Sequence, residues 1–212
     1  MKTIIFATGN EHKMIEIRMI LDGLGARILS QKEAGILVEV VEDGTSFEEN
    51  ALIKARAIAK EAEKRPEYQE AVVLADDSGL EIDYLNKEPG IYSARYMGED
   101  TSYDIKNDAL LQRMEGVPQE QRTARFVCAI AAVFPGGDSQ VVRGVMEGRI
   151  GHEIAGKNGF GYDPIFYLPE YGCTSAQLTP EKKNELSHRG EGLRKMRERL
   201  VERWNRERGN EK

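Results

Sequence analysis

Four groups of residues in this chain have the types and spacing that chemistry requires. Asp76-Asp77, followed by Ser78-Gly79, closes a short apolar run at Ala71 to Ala75 that reads as a buried strand. In α/β folds, reactive groups are commonly presented at the carboxyl ends of strands. Neighbouring side chains on extended backbone point in opposite directions, so the two aspartates cannot share one task. One is suited to coordinate a metal while the other orients it or acts as a base. Glu42 and Asp43 end a second apolar segment and could meet them in space. Clustered carboxylates repel one another unless a cation sits among them. Hard oxygen ligands in this number suit Mg2+, usually shared with substrate phosphates. A turn with a helix cap would use the same two aspartates, so this pair alone does not decide the function.

The other groups look like binding elements. In "IIFATGNEHKMIEI", Thr8-Gly9-Asn10 breaks a short apolar run and Lys13 follows one turn into a helical pattern. Backbone N–H groups at a helix start, together with a mobile lysine, form a natural phosphate site. An ordinary capped turn would have the same appearance. In "GFGYDP", Gly159 and Gly161 allow close backbone approach, and Phe160 and Tyr162 offer flat faces for stacking a base. Asp163 is an acceptor held by the rigid Pro164, and no helix can open directly after that pair, which rules out a dinucleotide fingerprint. In "KKNELSHRG", Lys182 and Lys183 could neutralise phosphates, while His188 and Arg189 could donate to a base carbonyl. Lys54 and Arg56, like these, would pass for surface charges if read alone. There is no Walker A pattern and no defensible Ser-His-Asp or Cys-His order. Ser78 lacks a nucleophile elbow and reads as a hydrogen-bonding residue. His12 and His152 have no metal-ligand spacing.

Alternating strand and helix patterns must position these groups. Lys2 to Ala7 predicts a strand, and Met14, Ile17, Leu21 and Leu24 form the stripe of a helix ended by Gly23 and Gly25. Ile36 to Val41 is apolar enough for an extended segment. Ser46 with Glu49 forms a capping box for a helix that buries Ala51, Ala55, Ile58, Ala59 and Ala62 and stops before Pro66. Leu80 to Leu85 resumes extended structure after the Asp76–Gly79 turn. A helix follows from about Ser102 to Glu115. Arg122 to Phe134 reads as a central strand, paired through a Pro135–Asp138 turn with Gln140 to Ile150. Thr179-Pro180 is an N-cap followed by proline at the first helical position. The tail is amphipathic through Leu193, Met196 and Leu200, with its last few residues expected to fray.

Bulk composition excludes several classes. With 212 residues, 40% hydrophobic and 31% charged, the chain is long and apolar enough for one large domain or two lobes and is not a disordered sequence. A net charge of -6 argues against binding to long nucleic acid driven by electrostatics. Cys128 and Cys173 lie in unlike contexts and suggest neither a disulfide framework nor a metal knuckle. No apolar run approaches membrane-spanning length. Nothing at the N-terminus has a signal-peptide pattern, and a cytoplasmic protein is expected.

Taken together, the segments resemble the inosine/xanthosine triphosphate pyrophosphatase family, which hydrolyses deaminated purine nucleotides. The matching stretches are Thr8-Gly9-Asn10 with Lys13 and Glu16, "GTSFEENALIKA", "ADDSGLEID", "PGIYSARY", "GFGYDPIF" and "SHRG", in the family's order from the first strand to the last helix. Each is weak alone, and six in order are specific. The resemblance implies an α/β fold with a mixed, curved central sheet flanked by helices. It implies one ITPase-like domain across residues 1–212 with two lobes and a nucleotide cleft between them, usually as a homodimer. It further implies Mg2+-dependent hydrolysis of ITP, dITP or XTP to the monophosphate and pyrophosphate. Carried over by residue, Thr8, Gly9, Asn10, Glu11, His12 and Lys13 would hold the triphosphate, with no specific role attached to Glu11-His12. Asp77 would accept the proton and bind metal, with Glu42 as the other acidic metal ligand and Asp76 nearby. The choice of Glu42 over Asp43 rests on the least sharply patterned segment. Ser78, Lys54 and Lys183 would contact substrate, and Phe160, Gly161, Tyr162, Asp163, His188 and Arg189 would surround the base. A pyrophosphatase for other nucleoside triphosphates, or a non-catalytic nucleotide-binding protein, are the competing readings.

Overall fold

A computed structural model describes residues 1–210. The chain runs β1 (Lys2–Phe6), α1 (Glu11–Ile20), β2 (Ala26–Ser30), α2 (Phe47–Ala62), β3 (Val72–Ile82), α3 (Tyr103–Arg113), β4 (Thr123–Val133), β5 (Ser139–Ile150), β6 (Phe166–Leu168), β7 (Cys173–Thr174), α4 (Pro180–Leu186) and α5 (His188–Asn210). The strands hydrogen-bond in the order β2-β1-β3-β4-β5-β6-β7. Strand β1 pairs in parallel with β2 and β3, whereas β6 pairs antiparallel with β5 and β7. This is the mixed α/β sheet that the sequence led one to expect. Among the described residues, no helix is long and apolar enough to cross a membrane.

Two compact units divide the chain. The first holds Met1–Asp77, Cys128–Gly144 and the residues from Arg189 on, and the second holds Ser78–Val127 and Val145–His188. Each has a core of its own. In the first, Ile4, Phe6, Val72, Leu74 and Ile130 meet Met14 and Ile17 of α1 and Leu193, Met196 and Leu200 of α5. The amphipathic stripes at three- and four-residue spacing are therefore the buried faces. In the second, Leu80, Ile82, Phe126 and Phe166 meet Leu110 of α3 and Met114 just beyond it.

Local signals set most helix ends. The side chains of Asn10, Ser46, Ser102 and Thr179 each accept a first-turn N–H of the helix they start. The box at α2 is shifted by one residue from the expected pairing. Ser46 accepts from the Glu49 N–H at 3.1 Å, but the Glu49 carboxylate takes the N–H and hydroxyl of Thr45 at 2.7 and 2.8 Å.

One strand had no sequence signal, and two expectations need correction. Strand β2 carries too few apolar residues to show a period, and it forms because β1 offers it a parallel edge with Ile4 opposite Ile28. Ile36 to Val41 forms no regular strand, and Leu37 stays 85% exposed. Asp76-Asp77-Ser78-Gly79 is not a turn, because β3 runs unbroken through it. Leu80 and Ile82 beyond it are fully buried, and their burial holds the backbone extended. The frayed tail was expected to include Glu211 and Lys212, which lie outside the described residues.

Gly148 on β5 gives a direct test of the sheet packing in the second unit. A Cβ there would lie 2.6 Å from the Phe166 ring and 2.8 Å from the Tyr167 carbonyl oxygen. Phe166 is fully buried and cannot yield. Gly148→Ala should therefore lose about 1–3 kcal/mol, read as a lower denaturation midpoint with unchanged m-value.

Candidate functional site

In the first unit, the two aspartates of β3 have separate partners. Asp76 is 1% exposed. Its Oδ1 lies 3.0 Å from the Lys13 ammonium, and its Oδ2 accepts from Arg189 Nη2 at 3.2 Å and Nε at 3.3 Å. Arg189 also donates from Nη1 to Glu16 at 2.5 Å. Burial alone would raise the Asp76 carboxyl, but the cations Lys13, Arg189 and Lys54 outweigh it and hold the group far below the usual carboxylate range. Burial likewise works against the Arg189 charge, and Asp76 and Glu16 overcome it. Asp76 is thus a permanent anion inside a charge network.

Asp77 behaves in the opposite way. Its Oδ2 accepts from Asn50 Nδ2 at 3.2 Å, and its Oδ1 lies 3.8 Å from the Lys54 ammonium. Lys54 also pairs with Glu42 at 3.0 Å. Burial pushes the Asp77 carboxyl up; Lys54 pulls it down, Glu42 and Asp76 add to the rise, and the result is about 6. Asn50 is fully buried and also accepts the Gly44 N–H at 2.9 Å, which ties the loop after Glu42 to Asp77. A Cβ at Gly44 would lie 2.7 Å from that amide oxygen, so this approach requires glycine.

At the start of α1, Asn10 caps the Lys13 N–H at 3.2 Å, and the Thr8 hydroxyl accepts from the Asn10 N–H at 3.1 Å. A Cβ at Gly9 would meet nothing within 4 Å, so open space lies in front of this turn. Lys13 points from the same helix toward Asp76. A helix start, a lysine and the Asp76 carboxylate therefore meet in the first unit.

The second unit contains the other group. Asp163 is buried; its Oδ2 accepts from the Phe160 N–H at 2.9 Å and the Lys183 ammonium at 2.7 Å, and its Oδ1 accepts from Ser175 at 2.7 Å. Lys183 also stands 5.0 Å from the centroid of the half-buried Phe160 ring. His188 is buried and stacks on Phe126 with ring centroids 4.9 Å apart. A cavity of about 610 Å³ in this unit is lined by Asp83, Arg125, Glu147 and Tyr171, among others, and by none of the residues given a site role from the sequence.

Several expected placements change. Tyr162 does not offer a stacking face: it is 3% exposed, edge-on to Tyr103, and its hydroxyl donates to the Ser93 carbonyl at 2.7 Å. Asp163 turns its carboxylate into its own loop. Arg189 belongs to the first unit, where Asp76 and Glu16 engage its guanidinium. Glu42, the residue chosen over Asp43, does not change its part and meets Lys54. Ser78 continues β3 at the first position of the second unit. Glu11 and His12 are exposed in the first turn of α1. Sequence reasoning missed Asn50 and Ser175, and it gave Glu16 no role. Asn50 had a signal, since a polar residue fell on the apolar stripe of α2.

Three carboxylates were expected to hold a metal. Among the described residues, no group of three or more His, Cys, Asp or Glu side chains is disposed to hold one. Two of the three, Glu42 and Asp77, share one cation, the Lys54 ammonium. Both oxygens of Asp76 face Lys13 and Arg189 instead. Two carboxylates already gathered around a positive charge fit Mg2+, which is typically held by one or two carboxylates together with waters and substrate phosphates.

Comparison with known proteins identifies the family. The family described as the Ham1 family matches residues 4–199. A dITP/XTP pyrophosphatase of Clostridium perfringens is 46% identical over 94% of this chain and 98% of its own length. One from Vibrio parahaemolyticus is 48% identical over 92% and 95%. The Staphylococcus aureus Ham1 protein superimposes with a TM-score of 0.83 at 38% identity, covering 95% of this chain and all of that one. The nucleoside-triphosphatase / dITP/XTP pyrophosphatase of Mycobacterium abscessus superimposes with a TM-score of 0.71 at 40% identity, covering 92% of this chain and 98% of that one. With a matched segment running from β1 into α5 and close likeness along nearly its whole length, this chain belongs to the Ham1 family.

Proposed function

We infer that the chain is a nucleoside-triphosphate pyrophosphatase that converts deaminated purine nucleotides (ITP, dITP and XTP) to the monophosphate and pyrophosphate. The observation that carries this reading is the pair of neighbouring aspartates on β3. One is a fixed anion bound to Lys13 and Arg189, and the other is pushed up to about 6 beside Lys54 and Glu42. A purely nucleotide-binding protein has no need of two adjacent acids with separate partners, whereas a hydrolase uses one as a base.

Glu42 and Asp77 are the residues that would hold Mg2+. When bound, that ion neutralises phosphate charge and polarises the phosphorus that water attacks. The remaining roles fall to side chains. Asp77 accepts a proton from the attacking water, and Asn50 keeps its carboxylate oriented. Lys13 and the start of α1 meet the negative charge of the phosphates, as a helix N-terminus and an ammonium do. Lys54 holds Glu42 and Asp77 together. Arg189 braces Asp76 and Glu16, which leaves the 6-oxo group of the base to donors in the second unit: backbone N–H groups and His188. Phe160 supplies the stacking face. Adenine would leave such donors unpaired, at about 1–3 kcal/mol each, enough for a preference of roughly a hundred-fold. Family kinship carries the further expectation of a cytoplasmic homodimer.

Pyrophosphate release from a panel of nucleoside triphosphates with Mg2+ tests the reading. ITP, dITP and XTP should exceed ATP in kcat/KM by about a hundred-fold. Equal rates on ATP would overturn it. Asp77→Asn should lower kcat by about 10²-fold or more while nucleotide binding persists. The same substitution should affect stability with a particular sign. A folded-state carboxyl raised to about 6 prefers to be protonated, so its ionisation opposes folding progressively as pH rises from 4 to 6. Without metal, Asp77→Asn should therefore be more stable than the parent at pH 8, by at most about 2–3 kcal/mol. The gain should vanish near pH 4 in chemical denaturation.

A further inference from the structure

We propose that Asn107, on the face of α3 shared with Tyr103, is a positioning residue that sets the glycine-aromatic loop for the nucleobase. Residues four apart on a helix lie on one face, and both of these reach the loop. Asn107 is 1% exposed, and its Nδ2 donates to the Gly161 carbonyl at 3.1 Å. Gly161 has φ +71°, and a Cβ there would lie 3.6 Å from the Tyr103 ring, so the helix face stands directly against the glycine. Tyr103 also meets Tyr162 edge-on at 5.2 Å and 87°. The Tyr162 hydroxyl is held in turn by the Ser93 carbonyl at 2.7 Å. The two residues after Phe160 are thus fixed from α3, one by a hydrogen bond and the other by ring packing.

The amide of Asn107 is retained against a stability cost. Its Oδ1 is buried without a hydrogen-bond partner, which a leucine of similar size would avoid. A position with only a packing duty on α3 favours leucine. The asparagine offers one thing leucine lacks, the donor to Gly161. This inference rests on the reading that the Phe160 loop receives the base.

The test uses the full chain with Mg2+, comparing Asn107→Leu, Asn107→Asp and Phe160→Ala on ITP and ATP, with melting temperatures alongside. Asn107→Leu should melt at or above the parent temperature. In both Asn107 variants KM for ITP should rise about tenfold and kcat stay within about twofold, the pattern of lost binding rather than lost chemistry. The ITP-to-ATP ratio of kcat/KM should fall with it. Asn107→Asp, nearly the same size but without the donor, keeps the test decisive if leucine packs poorly. Unchanged KM and ratio in both variants, with Phe160→Ala impaired, would overturn the proposal while leaving the base-loop reading intact. Unchanged values in Phe160→Ala would overturn the base-loop reading, and the proposal with it.

Discussion

A carboxylate taken out of water must be met by cations or give up its charge, and Asp76 is met by two. Lys13 stands 63 positions before it and Arg189 stands 113 positions after it. This buried pairing draws the first turn of α1, the middle of β3 and the first turn of α5 to one place. Removing one partner from such a cluster typically costs about 3–5 kcal/mol, because the remaining charge stays buried. The first unit therefore cannot rearrange these segments independently. Their apolar faces build its core, and their charged ends fix its chemistry.

One residue further along β3, the pleat turns the next side chain to the other side, and its surroundings reverse its character. Asp77 meets one cation at a distance and a competing acid in Glu42, so burial prevails and its carboxyl rises to about 6. Two adjacent aspartates thus acquire a fixed charge and a titrating one from their surroundings alone. Pairs of acids whose environments push them apart are the usual sign of divided roles. Asn50 makes the division durable, since its amide is clamped between the Gly44 N–H and Asp77.

The second unit applies the same physics to a loop. Asp163 spends its oxygens on the Phe160 N–H, Lys183 and Ser175, so it shapes the loop from within. Gly159 has φ +75°, and a Cβ there would collide with that carboxylate. Glycine is required by an inward-facing acid as well as by the turn. Lys183, held by Asp163, is brought to the Phe160 ring, and a charge that would otherwise be solvated becomes part of the loop.

The sequence by itself determined the elements whose causes are local. Caps at Asn10, Ser46, Ser102 and Thr179 bond N–H groups three residues away, and helix stripes repeat every three or four. Such signals survive reading along the chain, and with the ordered motifs they made the family legible. Strand β2, the unbroken run of β3 through four polar or small residues, and the partners of each acid were decided only by the tertiary structure. An aspartate's role depends on which cation reaches it and how much water is excluded. For Asp76, Asp77 and Asp163 those cations lie between 20 and 113 positions away, where no local pattern can indicate them.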